Sequence, residues 1–102
     1  MSLGYHPEAL GELVEAVAYY REIDPALSDD LAAAVNERLA LTERVPGASR
    51  VEPQAPPRFD LRWYRIRRFP YSLLIGLVRG ERLIIALAHA KRRPGYWRDR
   101  LG

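Results

Sequence analysis

Two apolar runs late in the chain, residues 72–78 (SLLIGLV) and 83–88 (LIIALA), are hydrophobic at successive rather than alternate positions. That is the pattern of strands covered on both faces, as in the middle of a sheet. Arg79-Gly80-Glu81-Arg82 between them has the length and the glycine of a hairpin turn. Residues 61–68 alternate loosely, with Tyr64 and Ile66 on one side and Arg65 and Arg67 on the other, as an outer strand with one wet face does. Phe69-Pro70-Tyr71 turns that strand into the next.

The first half of the chain has helical periodicity. A helix is expected from Pro7 to about Glu22, with Leu10, Leu13, Val14, Val17 and Tyr20 forming its packing face and Glu8, Glu12 and Glu15 pointing elsewhere. The Tyr19-Tyr20 pair reads as core. Ile23-Asp24-Pro25 breaks this helix and supplies a cap and a first residue for a second one, running to about Arg44. Leu27, Leu31, Ala34, Val35 and Leu39 make the second buried stripe, and Pro46-Gly47 stops the helix. So short a link makes the two helices an antiparallel hairpin. Residues 47–57, with three prolines and no periodicity, read as a loop. The expected architecture is α+β: a helical hairpin on one face of a small antiparallel sheet, with the residues before Pro7 as a candidate edge strand. The other face must be closed by the C-terminal residues 94–101 or by a second protein.

Composition narrows the chemistry. At 102 residues and 48% hydrophobic, the chain makes one domain, residues 1–102, with a core of its own. With no cysteine and only His6 and His89 as imidazoles, disulfides, thiolate chemistry and a structural zinc are not expected, and no cofactor motif is present. No segment resembles a signal peptide or approaches the roughly 20 apolar residues of a membrane span, so a cytoplasmic protein without membrane contact is expected.

Charge separates the halves. Residues 1–57 carry ten acids and four arginines, net −6, and residues 58–102 carry three acids and twelve bases, net +9. Fifteen of the sixteen bases are arginine, which suits forked contacts to carboxylate or phosphate. The basic half points to an acidic partner. Arg92-Arg93-Pro94-Gly95-Tyr96-Trp97 mixes bases with aromatics as single-stranded nucleic-acid surfaces do, although Trp97 also reads as a cap on the sheet. His89 is a candidate acid–base group, because imidazole titrates near neutrality. Its place at the end of an apolar strand favours a structural role instead. Ser72, His89 and Asp60 can be written as a triad, but no spacing brings them together and no nucleophile-elbow glycines flank Ser72.

RRFPYSLLIGLV at residues 67–78, followed after a short turn by LIIALAHAKRRPGYWRDR at 83–100, resembles the C-terminal signature of the RelE/ParE superfamily of toxins from type II toxin–antitoxin pairs. YHPEALGELVEAVAYYREIDPAL, residues 5–27, is similar to that family's first helix and helix–helix turn. Together they span nearly the whole chain, the Phe69–Tyr71 and Ala88–Trp97 motifs being the most specific. The resemblance implies the α+β fold reached above, a role in growth inhibition and plasmid stabilisation, and a cognate antitoxin with an acidic, partly disordered segment that wraps the toxin. It implies one of two targets. The ParE-like branch, favoured here, traps DNA gyrase without catalysis; the RelE-like branch cleaves mRNA on the ribosome without a metal. An inactive homologue that only binds antitoxin is a third reading. For a ribonuclease, Arg65, Arg67, Arg92 and Tyr96 match the family's basic and phenolic positions. Ser72 departs from it, standing where the nuclease branch has an arginine. As a binding surface the resemblance and the charge together point to Arg62, Arg65, Arg67, Arg68, Arg92, Arg93, Trp97 and Arg98.

Overall fold

The computed structural model describes residues 3–44 and 49–102. After a two-residue strand β1 (Gly4–Tyr5), the chain forms helices α1 (Pro7–Ile23) and α2 (Pro25–Arg44), then strands β2 (Arg50–Val51), β3 (Arg62–Arg65), β4 (Tyr71–Val78) and β5 (Glu81–His89). Single 3₁₀ turns lie at Pro57–Phe59 and Arg98–Leu101. Both helices begin as their sequences require. His6 Nδ1 accepts from the amide of Glu8 ahead of Pro7, and Asp24 Oδ1 accepts from the amide of Ala26 ahead of α2, which satisfies donors that a helix start leaves open. The proposed stop at Pro46-Gly47 lies outside the described residues, as do the first two residues of the 47–57 loop. No described helix is long and apolar enough to cross a membrane.

The sheet runs β1-β5-β4-β3-β2. It is mixed, which corrects the expected all-antiparallel sheet: β2, β3, β4 and β5 are antiparallel neighbours, but β1 lies parallel to β5, with Tyr5 opposite Ile84. Both helices and three strands intervene between β1 and β5, which leaves ample chain for the crossover that a parallel neighbour needs and a tight turn cannot give. β2 falls inside the segment expected to be loop. The hairpin between β4 and β5 is tighter than the expected turn. Val78 pairs with Glu81, leaving Arg79 and Gly80 as a two-residue loop with φ of 53° and 80°, the left-handed pair that matches strand twist.

Both sheet faces are covered. On one, α1 and α2 bring Ala9, Ala16, Leu31 and Val35 onto Tyr64, Ile66, Leu73, Ile75, Ile84 and Leu87. On the other, Leu61, Leu74, Val78, Ile85, Ala86 and Trp97 form a second core, with Phe59, Trp63 and Leu101 packed against it. The face left open by the helices is therefore closed mainly by the chain itself, through the turn before Leu61 and the C-terminal segment. Gly76 makes this possible: a Cβ there would meet Leu61 Cδ2 and stand 2.9 Å from the Phe59 carbonyl.

The buried line of α1 is shifted from the expected one. Leu10 and Val14 are 48% and 60% exposed, whereas Ala9 and Ala16 are buried beside Leu13, Val17 and Tyr20. Two alanines let the helix approach the sheet closely, and bulk alone pointed to the wrong flank. Tyr20 packs edge-on against Phe69 at 5.3 Å, while Tyr19 is exposed, so only the second of the pair is core.

Asp60, left-handed at φ 44°, holds the start of β3 to the start of β5 through Arg62 Nε and Arg82 NH2, both at 3.1 Å. The Arg82 hydrogen bond, against the upward pull of burial and with help from Arg62, keeps its carboxyl below the ordinary carboxylate value.

Two predictions follow from these contacts. Gly76→Ala should cost about 1–3 kcal/mol, read as a lower urea midpoint, because backbone as well as side chain blocks the new methyl. For Asp60, a pKa lower in the folded than in the unfolded chain means stability that is present above the ordinary carboxylate range and lost as pH falls through the folded value. Asp60→Asn tolerates the left-handed backbone but has no charge. Its melting temperature should lie below the parent's at pH 7, and the gap should close below about pH 4.

Candidate binding groove

β1 is so short that it covers little of the outer edge of β5: the His6 amide bonds to the Ile84 carbonyl, and among the described residues no strand continues beyond. A bulge falls at that point. Leu74 pairs with Ala86 and Ile75 with Ile84, so Ile85 is the extra residue, left without a ladder partner. Side chains complete the edge. Glu12 Oε1, from α1, accepts from the amide of Leu87 at 3.0 Å, and Arg100 NH1 donates to the carbonyl of Ile85 at 3.0 Å. The two side chains also pair with each other at 2.8 and 3.1 Å, and Arg100 is only 6% exposed. Glu12 was expected to point away from the core; standing one turn after Ala9 and one turn before Ala16 at the border of the buried face, it instead reaches the sheet edge.

The same carboxylate fixes the C-terminal segment. Glu12 Oε2 accepts from the Tyr96 hydroxyl at 2.7 Å, and burial, followed by that bond, pushes the phenol well above its ordinary range. Tyr96 is thus a proton donor with its acceptor already chosen. The Arg92 and Arg100 guanidiniums lie over its ring, 4.0 and 4.9 Å from the centroid. Trp97 is 3% exposed and meets Trp63 edge-on at 6.3 Å, while Trp63 Nε1 donates to Glu52 at 3.1 Å.

These contacts hold open a groove of about 330 Å³ between residues 50–54 and the turn after β5. Ser72 and Ala88, opposite one another in register, are two of the small residues lining it, and Arg50, Arg92 and Arg93 bring the positive charge. The groove can receive an anionic chain. It offers little to a stacked base, because the Tyr96 ring already carries guanidiniums and Trp97 is enclosed.

The residues proposed from sequence divide. Arg92, Arg93, Tyr96, Trp97 and His89 line the groove, and Arg65 is exposed at the register position opposite Ser72. Arg67 is separated from them, at a cleft against α2. Arg62 is bonded to Asp60 and Ser49, Arg68 faces Asp30 at 3.6 Å, and Arg98 donates to Gln54 at 2.7 Å, joining the tail to the residue 52–54 segment. His89 Nδ1 accepts from the amide of Lys91, and its ring meets Tyr71 edge-on at 5.1 Å. Asp60 sits by Arg82 at the start of β5 and His89 ends that strand, so the triad with Ser72 does not form. Among the described residues, no three His, Asp or Glu side chains gather as metal ligands would. Arg50, Glu52 and Gln54 are groove residues that sequence reasoning missed; they sit in a segment with no periodicity.

Glu12→Gln should leave the buried Arg100 with only the exposed Glu8 carboxylate, 3.8 Å away, as counter-charge and cost about 3 kcal/mol. Tyr96→Phe loses one neutral donor and should cost about 1 kcal/mol. Denaturant unfolding of the two variants measures the difference. Compared with known proteins, the chain matches no family model, no curated protein and no solved structure.

Proposed function

We propose that this chain is the toxin of a type II toxin–antitoxin pair, of the ParE-like kind, which binds and traps DNA gyrase and is neutralised by an antitoxin with an acidic, partly disordered segment. The carrying observation is that the groups a metal-free ribonuclease needs are dispersed. Such an enzyme needs a base for the 2′-hydroxyl, an acid for the leaving oxygen and cations converging on the phosphate. Here Arg67 lies away from the groove, Ser72 lines it where a further cation would be wanted, and Tyr96 donates its proton to Glu12. What remains is a basic, concave surface suited to holding a partner. Arg50, Arg92 and Arg93 would meet the antitoxin's carboxylates, with part of the affinity lost as salt screens them.

The RelE-like reading, cleavage of mRNA on the ribosome, draws on one observation: three arginines and a phenol share a single groove. An inactive homologue would bind antitoxin and do nothing else. Induction in cells separates the three. The gyrase reading expects double-strand DNA breaks and, with purified protein, inhibited supercoiling, while Arg92→Ala weakens toxicity only as far as it weakens binding. mRNA cut at defined codon positions, lost by about 10²–10³ in rate in Arg92→Ala and unaccompanied by DNA breaks, would overturn it. Unimpaired growth would assign the chain to antitoxin binding alone.

A further inference from the structure

A second cleft, of about 300 Å³, lies on the helical side of the sheet, where the connection between β3 and β4 meets the C-terminal half of α2. Its lining is unlike that of the groove. Ala34, Ala40 and Leu41 give it apolar walls, and Arg38, Arg44 and Arg67 bring three guanidiniums against one carboxylate, Glu37. One of the arginines rests on a ring, and another is carried on a fixed backbone. Arg38 lies over the Tyr64 ring at 5.5 Å, and Arg67 is carried by a connection pinned on both sides by buried Ile66 and Phe69, with the Ile66 amide bonded to the Tyr71 carbonyl. Guanidiniums gathered in one cleft present forked donors that suit a planar oxyanion.

We propose that this cleft recognises an acidic peptide segment, with carboxylates meeting Arg38, Arg44 and Arg67 and an adjoining aliphatic side chain lying on Ala34 and Leu41. Two features favour a peptide over nucleic acid. Glu37 opposes a dense run of phosphates while it can accept from a peptide amide, and the one aromatic ring nearby, Tyr64, is buried under Arg38 and offers no face to a base. Apolar walls beside the cations select against a bare inorganic anion. The inference stands apart from the toxin reading, since any partner with alternating acidic and aliphatic residues would be recognised by the same chemistry.

The test is an amide chemical-shift titration of the whole chain with acetyl-Glu-Leu-Glu-Leu-Glu-amide, with its all-Gln counterpart, with inorganic phosphate and with a short single-stranded oligonucleotide. Saturable shifts at Ala34, Leu41 and Arg67 are expected with the acidic peptide alone. Arg44→Gln/Arg67→Gln, two exposed positions whose loss should leave the spectrum of a folded protein, should weaken binding about tenfold. Arg92→Gln/Arg93→Gln should leave the shifts at Ala34, Leu41 and Arg67 as they are in the parent, whatever it removes at the groove. Equal binding of the all-Gln peptide, binding unaffected by the Arg44/Arg67 variant, shifts confined to Ser72 and Ala88, or tighter binding of phosphate or oligonucleotide at this cleft would each overturn the proposal.

Discussion

The Glu12–Arg100 pair takes the place of a missing strand. A sheet edge presents an alternating row of donors and acceptors, and a buried group left unpaired costs about 1–3 kcal/mol. Where β1 ends, one side chain that only accepts and one that only donates serve Leu87 and Ile85, and each neutralises the other. Extending β1 would have satisfied the same backbone without desolvating two charges. The pair does something that a longer strand would not: it ties α1, β5 and the C-terminal segment together at one point, so the second core, the lower wall of the groove and the position of the Tyr96 ring share a single support.

What lies above that support is basic and concave, but its aromatic surfaces are already in use. Two guanidiniums lie against the Tyr96 ring and Trp97 is enclosed, so the mixture of arginine and aromatic residues in this stretch, which in a linear sequence suggests nucleic-acid binding, is largely internal packing. The unspent chemistry is charge, in two separate places, on either face of the sheet.

The helical hairpin and the β4–β5 hairpin were legible because local rules decide them: Pro7 and Pro25 open helices, Asp24 caps, and continuous apolar runs around Arg79-Gly80 can do little but pair. Elements decided by distant partners were not legible. β1 and β2 are two residues each, too short for any period, and exist through β5 and β3. Leu10 and Val14 outweigh Ala9 and Ala16 in any count of hydrophobicity, yet close approach to the sheet selects the alanines. For the groove, the stretch after β5 was readable from its composition, whereas Arg50 was not, because its contribution depends on where β2 docks. Arg67 was misplaced by alternation: the strand ends at Arg65, and beyond it side-chain direction no longer follows a period of two.

Glu12 and Arg100 are 88 residues apart, and the parallel pairing of β1 with β5 spans nearly as far. Contacts of that separation must wait for the whole intervening chain, and chains that depend on them form their last structure late. A nascent copy emerging from the ribosome can therefore make its helical hairpin early, but the outer edge of β5 stays open until Arg100 is free of the exit tunnel. Through that interval an unprotected strand, and the apolar surface that Trp97 and Leu101 later cover, stay open to neighbouring chains.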